Sequence, residues 1–357
     1  MNKASKIYAL LVTITLLASA LVGCTTHTEE PAATRTITDM LGRTVEIPAE
    51  VNTVLGTSPT TTLPIYMLAP DSLAGWSFEL SENEACYIPS KYQGLPVVGG
   101  WFGKQSGNYE TFILINPDVV FEGFTSDTDT PSIIDERQQK LGEIPVVVVE
   151  ETIDPTAWGE AISFLGSVLG KEEKAAELIS YYNEAMDYVT TRAAQIPENE
   201  KRRVYYAEGP HGLETEPAGS ERTKLIELCG GINIAEGPLN NGYGRIEVSI
   251  EQVLLWNPDV IIAGDPIFYK EVFSDTKWQN IKAIKSQEVY LVPHGPFSWF
   301  DRPAGINQII GIYWMAKTLY PERFSELNLE SKAREFFSKF YHYDLTSEEF
   351  SRLVNLE

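Results

Sequence analysis

Two carboxylates stand in matched places in this chain. Glu110 lies seven residues before Pro117, and Glu251 lies seven residues before Pro258. Each proline sits inside Asn-Pro-Asp, and each triplet leads into an apolar run closed by Gly123 or Gly264. A proline disfavours helix at the residue before it. The spacing therefore predicts a short helix from each glutamate to each asparagine. The apolar run that follows reads as a buried strand. Each carboxylate then sits near a helix N-terminus, where the helix dipole favours negative charge. Capping alone explains the pair poorly, because Asp, Ser or Thr serve better at a cap.

Other chemistry is thin. No G-x-S-x-G nucleophile turn lies near the candidate cleft loops, and no G-x-G-x-x-G or P-loop occurs. No His pair has the spacing of a bare-metal site, and Cys86 and Cys229 belong to no C-x-x-C, so no metal site and no resident cofactor are expected. The formal charge of −22 gives no basic stripe for nucleic acid and reads as a solvating surface. The two cysteines define no disulfide framework. Cys229, before Gly230-Gly231, reads as a buried residue at a helix end.

The elements around these residues alternate. A chain of 357 residues favours two domains. Residues 1–23 begin with Lys3 and Lys6 and continue as an apolar run from Ile7 to Val22. That run is shorter than the roughly twenty residues a spanning helix needs, so it reads as a secretory signal. Residues 24–35 are polar and turn-rich, a flexible tether. Residues 36–50 suggest a hairpin about Leu41-Gly42-Arg43. Strands are predicted at 51–55, 73–76, 119–123 and 146–149, with helices near 60–69 and 131–141. This is a parallel, βα-wound N-terminal lobe over 36–155. Apolar residues at helical spacing from Ala175 to Val189 predict a helix over 171–194. With the helix before Gly170, it is expected to form one long element between lobes, within 156–195. A second α/β lobe over 196–357 has strands at 203–207, 260–264 and 289–292. It also has a loop at 208–220, helices at 221–228 and 303–318, and a last helix capped by Thr346 and Glu349.

The sequence resembles the class III substrate-binding proteins of ABC importers, which take up vitamin B12, haem and iron-siderophores. The resemblance spans roughly residues 36–350. It rests on the opening TDMLGRTVEIP, the paired Glu…Pro-Asp motifs, the stretch Leu225–Asn233 and the run Trp299-Phe300-Asp301-Arg302, taken in order. It implies two Rossmann-like lobes with parallel sheets, a rigid helix between them and a ligand cleft between the lobes. Leu-Val-Gly-Cys at 21–24 resembles a lipobox, with Cys24 lipidated. The expected protein is then extracytoplasmic, monomeric, not an enzyme, and held at the membrane by lipid alone. With residues 1–23 and their two lysines gone, its charge is about −24. In this family the matching glutamates dock on arginines of the permease. Carried over, Glu110 and Glu251 would each meet one half of a two-fold partner through charge-assisted pairs.

The resemblance places four stretches at the cleft. Thr57 and Ser58 end the first strand and could bind an oxyanion through their hydroxyls and backbone N–H groups. Trp101 and Trp299 either wall a bulky ligand or pack in the core. Arg302 either pairs an anionic ligand or bonds Asp301 or a neighbour. Tyr243 and Arg245, in a Gly-rich loop, mark a close approach or a tight turn. Tyr109, Tyr243 and His211 keep a haem ligand open, and a lone loop His such as His211 is otherwise simply exposed. The sequence leads to iron-siderophore, haem or cobalamin capture, with nickel chelate or an oxyanion such as molybdate or tungstate as the alternative. A surface sensor or an enzyme on the same fold is more remote.

Overall fold

The computed structural model describes residues 33–124, 130–151, 153–239, 245–302 and 305–355. The signal segment, Cys24, most of the tether, Tyr243 and Pro303 lie outside the described residues. None of the described helices is long and apolar enough to cross a membrane.

The chain opens with the expected hairpin, β1 (Thr34–Thr38) antiparallel to β2 (Thr44–Pro48). Asp39 closes its turn by accepting from the Leu41 and Arg43 N–H groups and pairing with the Arg43 guanidinium at 2.7 Å. The N-terminal lobe follows as β3 (Val54–Gly56), α1 (Pro59–Leu68), α2 (Tyr109–Ile115), β4 (Val119–Phe124), α3 (Thr130–Leu141) and β5 (Val146–Glu150). Its sheet is parallel, in the order β3-β4-β5. The strand expected at 73–76 is not a ladder. Leu73 and Trp76 form only isolated bridges, to Val54 and Val97. Pro96 lies beside that contact and has no N–H with which to extend one.

The two central helices are α4 (Trp158–Leu169) and α5 (Glu172–Ala193). They do not form the single long element expected. Gly170 turns left-handed at φ 63°, and the Lys171 N–H bonds back to the Gly166 carbonyl at 2.7 Å. The helices fold into a side-by-side hairpin, with Ala175 packed on bare Gly166. Helix α5 alone, at 22 residues, is about 33 Å long.

The second lobe contains β6 (Arg203–Ala207), β7 (Glu214–Thr215), α6 (Lys224–Leu228), β8 (Ile232–Asn233), β9 (Ile246–Glu247), α7 (Ile250–Trp256), β10 (Val260–Ala263), α8 (Pro266–Glu271) and β11 (Val289–Leu291). Its main sheet is parallel, in the order β11-β10-β6-β8. The stretch 208–220 is more than a loop, since β7 pairs with β9. Three terminal helices follow: α9 (Gln308–Leu319), α10 (Leu329–Phe336) and α11 (Ser347–Asn355). Helix α9 starts later than the expected residue 303. The Thr346–Glu349 capping box forms as expected. Residues after Phe336 return to the N-terminal lobe, where Tyr66 donates to the Tyr341 carbonyl and Tyr87 stacks edgewise on Phe337. Both described cysteines are free, and Cys229 is buried at the end of α6 as expected.

Side chains alternate between the faces of a strand, and here the alternation sorts two cores. Leu55, Val120, Val146 and Val148 fill a cluster private to the first lobe. Tyr205, Ala207, Ile261 and Ala263 fill one private to the second. The opposite faces, with Val54, Phe121 and Val147 from one sheet and Val204, Tyr206 and Ile262 from the other, join a single cluster around α4, α5 and α9. Unfolding is therefore expected to be one transition. Ile262→Ala should cost about 2 to 5 kcal/mol and move that whole transition. Calorimetry that resolves two transitions, only one of them shifted, would contradict the shared core.

Candidate functional site

The carboxyl ends of both sheets face the groove between the lobes, where ligands of open α/β sheets bind. In the first lobe β3 runs into Thr57 and Ser58, both buried. Ser58 caps α1 by accepting from the Thr61 N–H, and Pro59 takes the first helical position. The Trp101 N–H bonds the Thr57 carbonyl at 2.8 Å. Gly100 makes that approach possible, because a Cβ there would lie 1.9 Å from the same carbonyl oxygen.

Arg137, on α3, gathers the side chains around Trp101. Its guanidinium lies 4.0 Å from the centre of the Trp101 ring and donates to the Tyr109 hydroxyl at 2.6 Å. It also sits 3.5 Å from the Glu122 carboxylate at the end of β4. Trp101 and Tyr109 stack with centroids 4.6 Å apart. Burial raises the Glu122 pKa to about 7, with the Arg137 charge opposing. The Ser58 and Thr60 hydroxyls both donate to Glu151, just beyond β5.

In the second lobe Glu208 leaves β6 and meets Glu216, Asp301, Arg302 and Arg222. Arg302 pairs with Glu208 and with Glu216, each at 2.6 Å, and Arg222 pairs with Asp301 at 2.8 Å. Oxygens of Glu208, Glu216 and Asp301 lie within 4.8 Å of one another. Three carboxylates so close resemble a cation site, but two guanidinium groups already neutralise most of that charge. Burial again raises a carboxylate here, Glu208, to about 7. Arg302 holds a left-handed backbone at φ 58°, over-determined by its ion pairs.

Between the lobes lies a narrow apolar pocket lined by Pro59, Thr60, Leu63, Trp158, Phe297, Ser298 and Asn307, among others. Pro59 and Thr60 open α1, and Asn307 immediately precedes α9. The N-terminal turns of two helices, one from each side, thus meet at one pocket. Neither helix carries an acidic residue in its first turn.

Several site expectations change. Trp299 is not a cleft wall. It is 0% exposed, its indole N–H bonds the Gly295 carbonyl at 3.1 Å, and its ring packs toward Phe337. Its carbonyl is seated on α9 at Gly311, where a Cβ would lie 1.6 Å from that oxygen. Arg302 takes its alternative role, bound to acidic neighbours. Arg245 pairs with Glu214 at 2.7 Å beside β9, away from the pocket lining. His211 is exposed on the tight turn closed by the Gly212 N–H to the Gly209 carbonyl. Thr57, Ser58, Trp101 and Tyr109 do come together. Sequence reasoning missed Arg137, Glu122, Glu151, Trp158, Arg222 and Asn307, which lie in no motif and are gathered only by the fold.

The two glutamates occupy matched helices. Glu110 is second in α2 and Glu251 second in α7; each helix has seven residues and ends on a left-handed asparagine, Asn116 or Asn257. The Asp118 N–H bonds the Thr53 carbonyl while its carboxylate accepts the Thr53 N–H. Asp259 makes the same two-way contact with Arg203. Both glutamates are exposed.

A family model described as a periplasmic binding protein matches residues 81–295. The chain belongs to the periplasmic binding protein family. It is the class III, ABC-transporter form, whose members bind small ligands and work with an ABC permease. An ABC transporter solute binding protein from Sulfurospirillum deleyianum is 32% identical, with a TM-score of 0.81 over 89% of this chain and 98% of that one. The molybdate-binding protein MolA of Haemophilus influenzae is 27% identical over 331 residues, 87% of this chain and 91% of its own. The solved structure of MolA bound to molybdate gives a TM-score of 0.68 at 25% identity, covering 87% of this chain and 99% of that one. IsdE of Staphylococcus aureus, of a haem uptake system, is 23% identical over 64% of this chain and 78% of its own. These relatives serve transport rather than catalysis.

The raised carboxyl of Glu122 sets a pH dependence. Its folded pKa, about 7, exceeds the unfolded value of 4.5. The folded state holds the proton longer, so this group's contribution is full below the unfolded pKa and lost as pH rises through the folded one. Glu122→Gln should gain on the wild type by roughly 1–2 kcal/mol between about pH 5 and about pH 8. Urea midpoints measure this; a gap that narrows with rising pH would contradict the assignment.

Proposed function

We propose that this periplasmic binding protein captures a small tetrahedral oxyanion of the molybdate or tungstate type. The observation that carries the reading is the meeting of two helix N-termini, from α1 and α9, at one narrow pocket. A helix N-terminus carries partial positive charge, which suits an anion. Pro59 has no N–H, Ser58 takes the Thr61 N–H, and the Gln308, Ile309 and Ile310 N–H groups bond the Gly305, Ile306 and Asn307 carbonyls, so the attraction comes from the field of the two helices. Thr60 and Ser298 carry the hydroxyls in an otherwise apolar lining, while the Asn307 amide is held by the Phe297 carbonyl and the Tyr341 hydroxyl. The likeness to MolA points the same way. A siderophore, haem or cobalamin loses support, because Trp299 is absent from the lining and Tyr109 is held by Arg137.

Glu151 takes the Ser58 and Thr60 hydroxyls at the start of α1. In this reading its carboxylate holds the place of the anion and gives way when the ligand enters. The protein is placed outside the cytoplasm and anchored through lipidated Cys24. Glu110 and Glu251 present the two docking charges to the permease.

Titration calorimetry against molybdate, tungstate, sulfate, ferric siderophores, haem, cobalamin and nickel–histidine tests the ligand. Molybdate or tungstate should bind, and Glu151→Gln should tighten them roughly tenfold by removing a competing charge. Binding of an organic chelate alone would overturn the oxyanion reading. For docking, Glu110→Ala with Glu251→Ala should lower uptake by roughly tenfold or more and leave calorimetric affinity unchanged. Unimpaired uptake would remove the glutamates from the interface.

A further inference from the structure

The matched helices carry a second matched residue. Leu114 stands four residues after Glu110, and Leu255 four residues after Glu251. Residues four apart share one face of a helix. Leu114 is 86% exposed and Leu255 is 77% exposed, the highest values among the exposed large apolar side chains of the described residues. The register behind them matches too. Phe112 and Val253, two residues after each glutamate, are fully buried against their own lobes.

A single exposed leucine is ordinary on any protein. Two at the same register of a duplicated helix, each beside an exposed carboxylate, are not scatter. Neither does anything for its own fold, since the inward faces of α2 and α7 are already filled. Each αL asparagine and each Asp118 or Asp259 contact fixes its helix on its sheet, so the Glu–Leu face is presented at a set angle. A patch repeated once on each lobe suits a partner that also repeats once. An ABC permease is such a partner for this family.

We infer that Leu114 and Leu255 are paired apolar anchors for the permease, each seating in an apolar pocket beside the basic group that meets Glu110 or Glu251. This rests on the docking reading of the two glutamates. The glutamates supply charge recognition, and the leucines supply surface that water leaves on contact. The partner is identified by chemistry: a two-fold membrane permease with a basic group next to a hydrophobic hollow on each half.

The test uses the full chain and its permease in lipid nanodiscs, with affinity read by surface plasmon resonance. Four proteins are compared: wild type, Leu114→Ser with Leu255→Ser, Glu110→Ala with Glu251→Ala, and Ile267→Ser, an exposed apolar control on α8. Circular dichroism and molybdate calorimetry on the same preparations check fold and ligand binding. The leucine pair should weaken permease binding roughly tenfold or more, with ligand affinity and the Ile267 control unchanged. A loss for the glutamate pair with none for the leucine pair overturns the inference and leaves the docking reading standing. Full binding by both pairs overturns both. If the leucine pair instead dissolves a dimer seen by analytical ultracentrifugation, without weakening permease binding, the patch belongs to a second copy of this chain and the inference falls.

Discussion

The shared core between the lobes is the constraint on which the rest depends. Each parallel sheet turns one face inward to its own cluster and the other to residues on α4, α5 and α9. Opening the lobes widely would expose Phe121 and Val147 on one side, or Tyr206 and Ile262 on the other. At roughly 25 cal/mol per Å² of apolar surface, even modest exposure would cost several kcal/mol. The groove can adjust by small rotations on this core. The C-terminal segment adds to the restraint by crossing back to Tyr66 and Tyr87.

Within that frame the two lobes solve the same problem with different residues. Each ends a parallel sheet beside buried acidic groups, one in the first lobe and three in the second, and each holds them with arginine. In the first lobe a single guanidinium is shared between a carboxylate, a phenol and the face of an indole. In the second, two guanidinium groups serve three carboxylates. None of these network residues lines the pocket. The pocket itself is lined mostly by apolar side chains and by the starts of two helices.

Much of the fold was legible because periodicity carries it. The buried strand segments at 119–121, 146–149 and 260–263 are unbroken apolar runs, as a sheet covered on both faces requires. The matched helices were legible from Glu, Asn-Pro-Asp and spacing alone. The failures are equally specific. The helices on either side of Gly170 read as one long interlobe element, but a left-handed glycine followed by a fresh helix start reverses direction. Trp299 sits among turn residues, so it read as a loop side chain. Its full burial and the close contact of its carbonyl with Gly311 show that this loop is pressed into the core. Arg137 could not be found from sequence, because nothing local distinguishes it from the other charges on its helix. Its importance comes from Trp101, Tyr109 and Glu122, which the fold brings to it.

The pocket has one consequence of its own. Half of its positive edge belongs to a helix on one side and half to a helix on the other. Neither side holds a complete site. In the oxyanion reading, an anion seated there would act as a strut between them, and its binding energy would also be energy holding the halves in one relative pose. Occupancy is thereby converted into rigidity. A partner that grips both lobes at once can sense whether the strut is in place without ever touching it.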